Sequence, residues 1–130
     1  MSENILAHGL ASQMLASLYT LKDCMDRCPD PEWHEKHGDY PFSQVVFHVL
    51  FDCDLSLCDE IGDIRRQGFH ADNPGPFADY EELEERPRSR LYGRVFLDKY
   101  YEFCVSKVKS VLLGQLGEAL LLPDSGTIEV

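Results

Sequence analysis

The sequence predicts an all-α fold, three long helices packed as a bundle. Apolar residues recur at spacings of three and four over long stretches, and prolines and glycines interrupt that rhythm at only a few places. A length of 130 residues with 44% apolar and 27% charged side chains suits one globular domain with a substantial core.

The first helix is expected from Leu6, where Leu6, Leu10, Met14, Leu18, Leu21 and Met25 lie on one face. Pro29 and Pro31 stop it near Cys28, because they lack backbone donors and push their predecessors out of the helical region. A short polar link leads to Pro41, whose fixed φ suits the first position of a second helix. Phe42, Val45, Val49, Cys53, Leu57, Ile61 and Ile64 then form a stripe running to about Gln67, where Gly68 ends it.

The third helix is expected from Ser89, a plausible N-cap, with Leu97, Tyr101, Val105, Val108 and Leu112 on one face. Gly114 and Gly117 weaken it, and Pro123 is its outer limit. Gly68 to Arg88 reads as a long crossover loop between helices 2 and 3, with Pro74, Gly75, Pro76, Pro87 and an acidic run from Glu81 to Glu85. A second helix of about 26 residues is roughly 39 Å long, and a link of about 20 residues reaches roughly 60 Å. The chain can therefore return along the bundle, and helices 2 and 3 are expected to run parallel. No repeat or second domain is visible.

A formal charge of −11 opposes a phosphate backbone, so neither nucleic acid nor an anionic membrane is expected as a partner. Met1 to Leu10 show no secretory signal pattern, and no run of 18 apolar residues is present. The five cysteines, Cys24, Cys28, Cys53, Cys58 and Cys104, are odd in number and sit mostly in helical stretches, which points to reduced thiols and a cytoplasmic setting.

His48 and Asp52, four apart on one helix, stack their side chains and offer nitrogen and oxygen donors to a divalent ion. Gln44, Asp59 and Asp63 continue this polar stripe, which also reads simply as a solvent-facing surface. Two donors are too few for a tight zinc site, so further ligands would come from a partner or from His8. Cys24-x3-Cys28 followed by His34-x2-His37 has zinc-type donors but not a common finger spacing. The plainer reading there is structural, with Trp33 as a packing lid over the bundle end. Cys53 and Cys104 lie on or beside apolar stripes, and Cys58 is flanked by Asp59 and Glu60, whose negative charges disfavour a thiolate. Structural cysteine is the expectation for all three. No phosphate loop or serine nucleophile elbow is present.

Trp33, the segment Tyr40-Pro41-Phe42-Ser43-Gln44-Val45-Val46-Phe47-His48, and Pro87-Arg88-Ser89-Arg90-Leu91 leading into Tyr100-Tyr101 together resemble the DinB-like superfamily across most of the chain. The resemblance implies an up-down-down-up four-helix bundle, commonly homodimeric, with three histidines holding a divalent metal such as zinc, nickel or iron. Some members are thiol-dependent transferases or isomerases. The family's ligand on helix 2 falls on His48; its other two, a His-x-x-x-His pair on a fourth helix, have no counterpart here, since only seven residues without histidine follow Pro123.

Three rods shaped for a four-rod bundle leave an apolar groove in want of a partner helix. Leu112, Leu113, Leu116 and Leu120 to Leu122 are candidates either for that contact or for the protomer's own core. Two functions follow as expectations. One is a self-associating or partner-binding module with an incomplete metal site, most simply a homodimer. The other is a metal-dependent enzyme, thiol transferase-like or hydrolase-like, acting on an unspecified small molecule, with His48 as ligand and Asp52 as auxiliary.

Overall fold

The structure is a computed structural model and describes residues 2–36, 38–77 and 91–114. The expected Ser89 cap, the acidic run Glu81 to Glu85, His37 and the leucines at 116 and 120 to 122 lie outside these residues.

Helix α1 spans Ser2–Arg27. Its last turn closes through the Cys28 amide, which donates to the Cys24 and Met25 carbonyls at 3.1 and 3.3 Å, before Pro29 turns the chain extended at φ −66°, ψ 150°. The terminal carbonyls are met from across the fold, as Arg94 donates to the Met25 carbonyl at 2.9 Å and to that of Cys28. This supplies one cation, the Arg94 guanidinium, where the helix dipole is negative.

The link then makes a 3-10 turn at Asp30–Glu32 and folds back on itself. Phe42 and Ser43 amides donate to the Glu35 and Trp33 carbonyls at 2.9 and 3.0 Å. The reversal passes through Gly38 at φ 99°, a conformation that a Cβ would strain.

Helix α2 spans Phe42–Ser56, with Pro41 as its extended N-cap rather than its first residue. It does not run on to Gln67. At Leu57 the helix ends, and a new start forms at Glu60, where a reciprocal capping box with Asp63 opens a 3-10 stretch, Ile61–Arg66. The Glu60 amide donates to the Asp63 carboxylate at 3.2 Å, and Arg66 holds the other oxygen at 2.9 Å. A strong local cap, together with Gly62 as a poor helix former, outcompetes the apolar periodicity that predicted one rod.

A five-residue helix α3, Gly68–Asp72, follows and turns His70 inward. The segment expected to be mere crossover loop thus delivers core: His70 and Phe77 are both buried and stack with ring centroids 3.7 Å apart.

Helix α4 spans Arg94–Leu113 and stops at Gly114 in the left-handed region, φ 70°. It packs against both α1 and α2. Its direction is fixed by cross-links. Tyr92 meets Ser43, Cys104 meets the Leu50 carbonyl and Lys107 meets Asp54, so α4 runs parallel to α2. Arg94 lies at the end of α1 while Asp98 reaches back to Lys22, so α4 runs antiparallel to α1.

The core is aromatic. Phe47 stacks on Tyr92 at 4.1 Å, Phe69 on Phe103 at 5.0 Å, and Tyr100 packs among Phe47, Phe69 and Phe77. Trp33 covers one end, edge-on to Phe42, donating to the Tyr92 carbonyl at 2.9 Å beneath the Arg94 guanidinium.

The buried arc of α2 is Val46, Phe47, Leu50, Phe51 and Asp54, rotated from the expected stripe. Val45 and Val49 are 43% and 42% exposed. α2 is apolar on two faces, and only one of them finds α4. The other borders a groove of about 240 Å³ between α1 and α2, lined by Leu10, Gln13, Met14, Ser17, Leu18, Val49 and Cys53. Along the same helix Ile5, Leu6 and Leu10 are 66%, 65% and 46% exposed.

Candidate functional site

The most concentrated chemistry in the fold is built around Asp54, which α2 places on its buried arc one turn beyond Leu50. The side chain is fully buried. Oδ1 accepts from Lys107 Nζ at 2.6 Å and from Gln67 Nε2 at 3.1 Å. Oδ2 accepts from the Tyr100 hydroxyl at 2.6 Å and pairs with His70 Nε2 at 2.7 Å. Each oxygen thus has two partners, the in-plane capacity of a carboxylate.

Lys107, only 11% exposed at its side chain, also uses all three of its donors. Besides Oδ1 they go to the Asp54 carbonyl at 3.0 Å and to Cys58 Sγ at 3.1 Å. The break after α2 is what makes this possible. A straight helix would carry Gln67 and His70 far beyond Asp54; the bend at Leu57 to Glu60 brings them back against it.

Burial alone would push the Asp54 carboxyl up, but hydrogen bonds from His70, Lys107 and Tyr100 outweigh it and hold the group below the usual carboxylate range. The Tyr100 hydroxyl is pushed up by burial and by the adjacent Asp54 charge, so it stays a protonated donor. The carboxylate has no exposed surface, and its in-plane lone pairs are engaged by these four side chains. Its chemistry is that of a clamp joining α2, the 3-10 stretch, α3 and α4.

A second cluster lies on the same α2–α4 seam. Cys104 Sγ donates to the Leu50 carbonyl at 3.5 Å, three residues before Cys53 on α2. The influence of Cys104 holds the Cys53 thiol below its ordinary range, while that of Cys53 together with burial pushes Cys104 up.

The residues singled out from the sequence sit elsewhere. His48 Nε2 and Asp52 Oδ2 are 3.2 Å apart on the outer side of α2, with side chains 57% and 61% exposed. Their polar stripe does not continue as a line: Gln44 is buried, and Asp63 lies beyond the helix break in the capping box. His34 pairs with the Ser43 hydroxyl at 3.0 Å and Cys28 donates to the Pro29 carbonyl at 3.6 Å. Among the described residues no group of three or more His, Cys, Asp or Glu side chains is arranged to hold a metal ion. None of the described helices is long and apolar enough to cross a membrane.

Asp54, His70 and Lys107 escaped sequence reasoning, although one signal was present. A carboxylate seven residues after Phe47 and three after Phe51 falls on the same arc as those rings, and a charge there needs a partner. Comparison with family models, with curated proteins and with solved structures yields no match to this chain.

Proposed function

We propose that the protein is a helical-bundle module that self-associates, using the apolar groove between α1 and α2 as its contact face and a second copy of the chain as occupant. The observation that carries this reading is the pairing of that groove with the exposed apolar residues of α1, Ile5, Leu6 and Leu10. A chain of net charge −11 repels its own copies everywhere except on a face without carboxylates, and none of the groove's lining residues is charged. In a two-fold contact, these residues of one α1 lie along the groove of the other copy.

Each half-exposed Leu, Ile or Val contributes about 1 kcal/mol on being covered. Several per copy only just offset an association cost of order 4–15 kcal/mol. Weak, reversible, concentration-dependent pairing is therefore the expected form. The resemblance to the DinB-like superfamily points the same way, with α1, α2 and α4 as three rods of an up-down-down-up bundle.

Sedimentation equilibrium across a wide range of concentration tests this. The mass should rise toward that of a dimer, and Leu10→Glu with Val49→Glu should hold it at the monomer. A wild-type chain that stays monomeric throughout overturns the proposal. The metal-enzyme alternative rests on the His48–Asp52 pair at 3.2 Å. Metal analysis of untagged protein decides it: a stoichiometric divalent ion lost in His48→Ala would favour the enzyme.

A further inference from the structure

Helix α4 carries the chain back toward the start of α1 and the groove beside it. Asp98 pairs with Lys22 at 3.5 Å across the antiparallel α1–α4 contact, so Gly114, sixteen residues on, stands level with about Leu6, sixteen residues back. The parallel α2 gives a second ruler, since Cys104 meets the Leu50 carbonyl and Lys107 meets Asp54. On that register Cys53 and Val49 stand about 8 and 12 residues short of Gly114, roughly 12 and 18 Å at the helical rise.

Gly114 adopts φ 70°, ψ 19°, the left-handed conformation in which a chain leaves a helix. The residues that follow it in the sequence, Gln115 to Leu122, hold four leucines, Leu116, Leu120, Leu121 and Leu122. Eight extended residues span roughly 26–29 Å, enough to bring the last three leucines over Leu10, Val49 and Cys53. We propose that this leucine segment folds back across the α1–α2 groove of its own chain and competes there with a second copy, so that the chain restrains its own pairing. The inference rests on self-association through that face and gives the face a built-in regulator.

Two features suit the segment to the groove. None of the groove's lining residues is charged, and neither is any residue from Ala119 to Leu122, so contact strips no hydrated charge. Attachment at Gly114 also holds the segment at an effective concentration in the roughly millimolar range. A second copy matches that only when the protein itself is concentrated.

The test uses the full chain. In wild type with labelled Leu, Val and Met methyls, at a concentration where sedimentation gives the monomer mass, nuclear Overhauser contacts are expected from Leu120 to Leu122 onto Met14 and Val49. Their absence overturns the proposal, as does their appearance only between differently labelled copies in a mixed sample. The second arm is the triple variant Leu120→Asp, Leu121→Asp, Leu122→Asp, whose substitutions leave every buried side chain of α1, α2 and α4 in place. Freed of its competitor, the groove should pair at about tenfold lower concentration in sedimentation equilibrium; an unchanged or higher midpoint overturns the proposal. The wild-type contacts decide the matter even if the variant folds poorly. Pairing in neither protein defeats the self-association reading and this one with it, whereas pairing at equal midpoints defeats only this one.

Discussion

Replacing Lys107 by methionine should destabilise the fold severely, because among the described residues it removes the one lysine or arginine that touches Asp54 while keeping an unbranched stem of similar length near Phe103. Three hydrogen bonds vanish, at 2.6 Å to Oδ1, 3.0 Å to the Asp54 carbonyl and 3.1 Å to Cys58. The larger effect is what remains, an ionised carboxylate with no exposed surface and, among the described residues, no lysine or arginine beside it. Breaking a buried pair by removing one partner costs about 3–5 kcal/mol. For a domain of this size, with about 3–5 °C of Tm per kcal/mol, the melting temperature should fall by roughly 10–20 °C.

The companion variant Asp54→Leu leaves Tyr100 and His70 without their acceptor, each costing about 1–3 kcal/mol. Combining the two should be less harmful than their sum, since the charge that each single variant strands is absent from the pair. Urea unfolding followed by circular dichroism on all four proteins gives the coupling. A Lys107→Met loss below about 1 kcal/mol, or simple additivity, would refute the clamp.

Two further outcomes follow from the same geometry. Because the folded Asp54 carboxyl titrates below its unfolded value, its stabilisation is whole above about pH 4 and is lost as pH falls toward the folded value. The raised Tyr100 works at the other end: its share is whole below about pH 10 and declines above it, where the unfolded phenol ionises and the folded one does not. Urea midpoints against pH should show both limbs, and an acid limb unchanged in Asp54→Asn would contradict the assignment. Arg94→Leu should cost about 2 kcal/mol through lost bonds to the Asp30 carboxylate and the Met25 and Cys28 carbonyls. Fluorescence of Trp33, the chain's single tryptophan, should shift too, since Arg94 lies 4.1 Å over its ring. Arg94→Lys should recover only a minor part, because one ammonium cannot span the same acceptors.

What the sequence made legible was mainly what repeats. Leu18 and Met25 in α1, and Leu97, Tyr101 and Val108 in α4, are buried where their spacing put them; α2 and α4 run parallel, although the 26-residue rod from which that course was expected is cut at Leu57. The reading failed where a local signal competed with the period. The capping box at Glu60 and Asp63 cut a rod that the stripe through Leu57, Ile61 and Ile64 had continued. On α2 the error was one of rotation. With apolar residues on two faces, Val45 and Val49 read as well as Val46 and Leu50, and nothing local tells which face meets α4. His70 was lost for a different reason: a histidine in a five-residue helix within a proline-rich link shows no periodicity at all.

The placement of α4 has a consequence for how the chain comes into being. Both other long helices rest on it, yet its partners lie far back in the sequence, 69 residues away for Arg94 and Met25 and 53 for Lys107 and Asp54. A nascent chain on the ribosome therefore carries two greasy rods and a half-assembled ring cluster with nothing to lean on until α4 has emerged. Assembly of the core waits for α4 and is slowed by these distant contacts, with the uncovered faces open to chaperone capture in the interval.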